Sequence, residues 1–169
     1  KYMNKKLNLC AIIMHSKPGY KTGKKHKIFD NLLAQNFSVD CKNKIWCTDF
    51  TYMRQPNGKF RYNCSIIDLF DRSAIASINS NYINTQLAID TLKKALEQEH
   101  YPTVILHSDQ GVQFTSWEFV NFCEENNVTQ SMSKAGYPYD NAPMERYFNT
   151  LKTDLIYQHY YRTEEELYT

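Results

Sequence analysis

A chain of 169 residues with 42% hydrophobic and 14% aromatic content is long enough for one domain with a real core and too apolar for a disordered segment. Its five cysteines (10, 41, 47, 64 and 123) are odd in number and lack Cys-x-x-Cys spacing, which argues for reduced thiols in a cytoplasmic protein, and the longest early apolar run, Leu9 to Met14, is too short to span a membrane. The net charge of +2 conceals an asymmetry: residues 1–27 hold eight lysines and no acid, while the remainder sets twelve Lys and Arg against all eighteen acids.

Residues 1–42 read as a basic N-terminal arm or linker. Lys17 to Lys27 has the Pro, Gly and Lys content of a linker, and its Lys24, Lys25 and Lys27 suit contact with a polyanion; a solvated tail accounts equally for the same charges. Ile28 to Phe37 is a candidate short helix, with apolar residues at 28, 29, 32, 33 and 37. The body starts near residue 43. Lys44–Arg54 and Lys59–Leu69 read as two strands joined through Gln55-Pro56-Asn57-Gly58, a tight reversal. The second alternates Phe60, Tyr62, Cys64 and Ile66 with Arg61, Asn63 and Ser65, the pattern of a half-buried antiparallel strand. A third strand covers Ser73–Asn79.

Helix and strand then alternate. Asn84 caps a helix to about Glu99, with Ala88, Leu92 and Ala95 inward and Asp90–Lys94 as an exposed pair. Thr103–His107 is a strand. Thr115 and Glu118 form a capping box for a helix to about Asn126, led by Trp117, Phe119 and Val120. Val128–Met132 is a strand and Ser133–Tyr139 a loop. A helix over 140–157 is capped by Asp140 or Asn141, with Pro143 in its first turn. Met144, Phe148, Leu151 and Leu155 form its apolar stripe, and Glu145, Asn149 and Lys152 the adjacent polar one. Thr163-x-x-Glu166 is a capping box near the end of the sequence, so the body, 43–169, reads as truncated at its C-terminus. This order predicts a mixed five-stranded α/β sheet flanked by helices.

Three acids lie in apolar settings where an unpaired carboxylate is costly: Asp49, Asp109 and Glu145. Two-metal phosphoryl transfer uses such acids to hold Mg²⁺ ions roughly 4 Å apart. The spacing alone is weak, because eighteen acids generate many triples. The surrounding words carry more. Trp46-x-x-Asp49-x-Thr51-Tyr52, His107-Ser108-Asp109-x-Gly111-x-x-Phe114 and Tyr139-Asp140-Asn141-Ala142-Pro143-Met144-Glu145-x-x-Phe148-x-x-Leu151-Lys152 resemble the catalytic core of retroviral-integrase-like transposases, the DDE recombinases of bacterial insertion sequences.

The resemblance covers about residues 28–158 and implies a ribonuclease-H-like fold. It also implies a Mg²⁺-dependent DNA-nicking and strand-transfer enzyme in which Asp49, Asp109 and Glu145 are the catalytic residues and hold two metal ions, with Mn²⁺ as a substitute. Water is then the nucleophile for nicking and a DNA 3′-hydroxyl for strand transfer. The implied partners are the element's inverted-repeat ends, target DNA and further copies of the chain on DNA, in a nucleoid-associated bacterial protein without a membrane or a small-molecule cofactor. Lys152 and Asn149 become candidate DNA contacts, although Lys152 reads equally as a solvated helix lysine. Asn141 reads as a helix cap, His107 as a hydrogen-bonded strand-end histidine, and Gly111 as a backbone conformation that lets its loop clear DNA. Trp46 and Phe148 read as core. Cys10, His15, His26 and Cys41 lack the paired short spacings of a zinc site. A catalytically silent DNA-binding transposase remnant is the competing reading, and a ribonuclease-H-type nuclease shares the implied fold.

Overall fold

The computed structural model describes residues 27–55, 58–100 and 103–156. Lys24, Lys25, Cys10, His15, His26 and the Thr163–Glu166 capping box lie outside the described residues. Strands β1 (Ile45–Arg54), β2 (Phe60–Asp68) and β3 (Ala74–Ser80) form an antiparallel meander. At the β1–β2 reversal Gly58 donates to the Gln55 carbonyl at 2.9 Å with φ +82°, a conformation that favours glycine. Helix α1 (Thr85–Glu99) leads to β4 (Val104–Ser108), which runs parallel to β1. A single helical turn α2 (Val112–Thr115) and helix α3 (Trp117–Glu125) return the chain to β5 (Val128–Met132), parallel to β4. The sheet order is β3-β2-β1-β4-β5. A 3₁₀ turn, Pro138–Asn141, then enters helix α4 (Ala142–Thr150), which continues as π-helix over Leu151–Ile156. Among the described residues, no helix is long and apolar enough to cross a membrane.

Alternation along each strand gives the sheet two apolar faces. Trp46, Ile66, Ala76, Leu106 and Met132 pack against α1, α2 and α3 through Ala88, Leu92, Ala95, Phe114, Phe119 and Cys123. Cys47, Ile67 and Leu69 meet Met144 and Phe148 of α4 on the other face. This second layer corrects the expectation for β2, whose Asn63 and Ser65 are buried instead of solvated. Their polar atoms are satisfied across strands: Asn63 Nδ2 donates to Ser77 Oγ at 2.7 Å and to Asn79 Oδ1 at 2.8 Å, and Ser65 Oγ donates to Asn63 Oδ1 at 2.7 Å.

Residues 28–37 are a strap, not the expected helix. Their backbone groups are committed to distant partners: Lys27 N donates to the Thr115 carbonyl, Leu32 N to Ser131 Oγ, and the Asp30 carbonyl accepts from Met132 N. Asn31 Oδ1 accepts from Leu33 N and Ala34 N, and Ala34 and Gln35 take left-handed φ values of 46° and 65°. Leu33 plugs the second core. The strap therefore satisfies an amide at the carboxyl end of β5's outer edge, Met132 N.

Three local expectations also shift. The cap of α3 is Ser116, whose Oγ accepts from Phe119 N at 3.3 Å, one residue beyond Thr115; Trp117 is 56% exposed. Asp90 pairs with Gln86 Nε2, and Lys94 reaches the Ser77 carbonyl, so the Asp90–Lys94 pair is replaced. Neither Asp140 nor Asn141 caps α4 through its side chain.

Candidate active site

Asp49 projects from the middle of β1 on the face that α4 covers, and Asp109 follows the carboxyl end of β4. These parallel strands are paired only through Ile45–Cys47, so the chains part where both acids stand. Such a crevice at the carboxyl ends of strands is where open α/β sheets keep their chemistry. Glu145, exposed in the first turn of α4, closes the third side. The three acids thus line one cleft of about 410 Å³, together with Gln110, Gly111, Asn141 and the loop Ser133–Tyr137.

The electrostatics follow from this gathering of like charges. Burial pushes the Asp49 carboxyl up to about 7, the charges of Asp109 and Glu145 push the same way, and hydrogen bonds from Phe50 N and the Asn141 amide oppose them. Asp49 Oδ1 accepts from Phe50 N at 2.7 Å and Oδ2 from Asn141 Nδ2 at 3.0 Å, so the carboxylate is held in one orientation. Asp109 Oδ1 accepts from Gly111 N at 2.8 Å. Gly111 itself has φ −59°, so it meets no conformational demand; its constraint is space, because a Cβ there would lie 2.8 Å from Asp109 Oδ1.

The wall carrying Asn141 is braced through its neighbour. Asp140 accepts from Lys134 N at 3.0 Å, Gln35 Nε2 at 2.8 Å and Asn31 Nδ2 at 2.9 Å, an arrangement that holds its carboxyl below the usual range. His107 Nε2 meets the Asp140 carbonyl at 3.0 Å and Nδ1 meets Ser131 Oγ at 2.9 Å. A carbonyl only accepts, so Nε2 carries the proton, and burial lowers the His107 pKa and favours this neutral ring. His107 is a brace at the strand end.

Lys152 is half-buried, its Nζ 4.6 Å from the centre of the Tyr52 ring; burial lowers its pKa and the Asp49 charge raises it. Asn149 is exposed one turn past Glu145. Lys27 pairs with Glu124 at 2.7 Å and lies over Phe29, and it is not among the cleft-lining residues. Lys134 and Tyr137 are exposed on the cleft rim and were not singled out from sequence. The available signal was a basic and an aromatic residue flanking Gly136 in the loop between the second and third acids.

Comparison with known proteins gives this geometry a family. Residues 39–138 match the integrase core domain. The chain belongs to that family. The match contains Asp49 and Asp109, and Glu145 follows it. The chain is 36% identical over 137 residues to the transposase for insertion sequence element IS904 of Lactococcus lactis, covering 80% of this chain and 54% of that protein. It is 35% identical over 139 residues to transposase InsF for insertion sequence IS3A of Escherichia coli, covering 82% and 48%. The chain thus spans about half the length of the curated relatives it matches. Among solved structures, the simian T-cell lymphotropic virus intasome aligns with a TM-score of 0.67 at 22% identity, covering 90% of this chain and 52% of that one. The HTLV-2 integrase catalytic core domain in complex with magnesium aligns with a TM-score of 0.58 at 20% identity, covering 69% and 72%. These two likenesses establish the integrase-core fold, ribonuclease-H-like as the sequence implied.

The donor set suits a hard divalent cation, since Asp49, Asp109 and Glu145 offer only carboxylate oxygens. The buried, unpartnered Oδ1 of Asn141 beside them adds a neutral oxygen. Among the described residues, no three His, Cys, Asp or Glu side chains are already drawn together around one point.

Proposed function

We propose that this integrase-core chain is the catalytic part of a transposase, a metal-dependent polynucleotidyl transferase that nicks DNA at insertion-sequence ends and joins the freed 3′-ends to target DNA. The observation that supports this reading most is the convergence of Asp49, Asp109 and Glu145, from three separate elements, on one cleft with Asp49 raised to about 7 by burial and by the other two. Its family membership and its similarity to insertion-sequence transposases support this reaction class.

In this reading Asp49, Asp109 and Glu145 hold two Mg²⁺ ions, for which Mn²⁺ substitutes, and the ions supply Lewis-acid activation of the scissile phosphate and of the attacking oxygen. Asp49 and Asp109 are oriented before DNA arrives by their bonds from Phe50, Asn141 and Gly111. Water attacks in nicking and leaves a 3′-hydroxyl; that hydroxyl then attacks a target phosphodiester and displaces its 3′-oxygen. Lys152 and Lys134 supply charges for phosphates beside the cleft, Asn149 a hydrogen-bonding amide one turn past Glu145, and Tyr137 a ring for an unpaired base. Joining two ends calls for more than one copy of the chain on DNA.

The test is nicking of supercoiled plasmid in Mg²⁺ or Mn²⁺ by wild type, Asp109→Asn and Glu145→Gln. Metal-dependent nicking by wild type alone is expected, with both variants folded and binding DNA. Undiminished nicking by either purified variant would overturn the assignment.

A further inference from the structure

Asn141 stands at the N-terminal boundary of α4, where an asparagine side chain ordinarily accepts from the first helical amides. Here it makes no cap bond, and Pro143 already removes one of the amides a cap would serve. Its Nδ2 donates instead to Asp49 Oδ2 at 3.0 Å, across 92 positions of sequence. The carboxamide is thus turned with its Nδ2 toward the Asp49 carboxyl. That leaves Oδ1 on the other side. Asn141 is 6% exposed, its Oδ1 is buried without a hydrogen-bond partner, and the residue lines the carboxylate cleft.

Buried polar atoms are nearly always paired, so an orphaned acceptor in a polar cleft marks the place of a missing donor. The backbone is braced here by the Asp140 clamp and by His107, and the carboxamide is held by its bond to Asp49 Oδ2. Meanwhile each oxygen of Asp49 holds one N–H bond and keeps a lone pair free. The amide therefore addresses whatever the acids address. Mg²⁺ dehydrates reluctantly and keeps several waters when one or two carboxylates bind it, so it arrives with donor hydrogens.

We propose that Asn141 is a positioning residue for the divalent cation: Nδ2 sets the Asp49 carboxylate, and Oδ1 accepts a hydrogen bond from the hydration shell that the cation brings. This rests on the reading of Asp49 as a metal ligand.

The experiment is Mn²⁺ binding to the full chain without DNA, followed by the electron paramagnetic resonance of free Mn²⁺. Wild type, Asp49→Asn, Asn141→Leu and Asn141→Ala are compared, each with a melting curve in the absence of metal. Leucine keeps the shape of asparagine without its hydrogen bonds, and alanine, which adds no bulk, serves where the branched tip is not accommodated. Asp49→Asn should abolish binding. Both Asn141 variants should bind Mn²⁺ about ten- to a hundredfold more weakly than wild type, the usual cost of losing a group that orients a metal ligand. Their melting without metal should stay close to wild type, since removal of the orphaned oxygen offsets loss of the bond to Asp49. Unchanged Mn²⁺ affinity in both variants, alongside loss in Asp49→Asn, would overturn the role of Asn141 and leave the proposed function standing. Lower melting with unchanged affinity would make Asn141 a structural residue only. Wild type that binds no Mn²⁺ would overturn both proposals.

Discussion

Gly111 shows how a single atom's space can govern the cleft. From sequence it reads as a conformational glycine, yet its φ of −59° suits any residue. What it lacks room for is a methyl group, which would meet Asp109 Oδ1 at 2.8 Å, Gln113 Oε1 at 3.3 Å and Phe114 Cδ2 at 3.5 Å. Gly111→Ala should therefore leave the melting temperature nearly unchanged while turning the Asp109 carboxylate aside. Metal-dependent nicking should fall on the order of a hundredfold, the cost of a small misplacement at a reacting centre. Loss of fold in that variant would place the constraint elsewhere. The thiols give a second expectation at this scale. Burial pushes Cys47 and Cys64 up to about 12 and raises Cys123 as well, whereas Cys41 is exposed. Among these four, brief treatment of native protein with iodoacetamide should modify Cys41 alone by mass spectrometry, and labelling of the buried three should need denaturant. The acids and the words around them were legible because each word is local. Asn141 was misread for the complementary reason: capping is a rule of near neighbours, and its partner Asp49 is brought in by the fold.

Elements were legible where one periodic face decides them. Helix α1 has its expected cap, with Asn84 Oδ1 accepting from Leu87 N at 2.9 Å, and its expected buried residues Ala88, Leu92 and Ala95. Asn84→Ala should lower stability by about 1 kcal/mol in urea denaturation. Helix α3 was displaced by one residue because Val112–Thr115 already forms a turn and buries Thr115, leaving Ser116 as the free cap. That shift turns Trp117 outward and keeps Phe119 fully buried against Phe114, with ring centroids 5.4 Å apart. Phe119→Ala should cost about 3–5 kcal/mol, and Trp117→Ala should stay within roughly 0.5 kcal/mol. A reversal of that order would put Trp117, and not Phe119, in the core. The strap escaped prediction because apolar residues at 28, 29, 32, 33 and 37 mimic a helix stripe, while the hydrogen bonds that defeat it lie on β5 and α2.

Across the whole molecule, the order of strands and helices was enough to give the class: three strands in a meander, then alternation, produce the mixed sheet β3-β2-β1-β4-β5. The double coverage of β2 was not legible, since a strand reports its own alternation and not the helix α4 that arrives some eighty residues later. The strap belongs to the same scale. Asn31 and Gln35 reach Asp140 from 109 and 105 positions away, and through it they steady the cleft wall. Replacing both by alanine should preserve the sheet and its circular dichroism while raising amide exchange over 134–141. Unaltered exchange there would mean that His107 and the backbone suffice.

That clamp has a consequence for the order of assembly. Neighbouring hairpins and helices close small loops, but the strap can meet Asp140 only after nearly the whole body has been threaded into place, and long loops are closed last because their entropy is repaid last. The carboxylate crevice should then mature after the sheet during refolding and loosen before it in mild denaturant. An integrase-core chain built this way passes through a compact form that has its fold before its cleft, and recovery of the proposed nicking should lag recovery of tryptophan fluorescence from the buried Trp46.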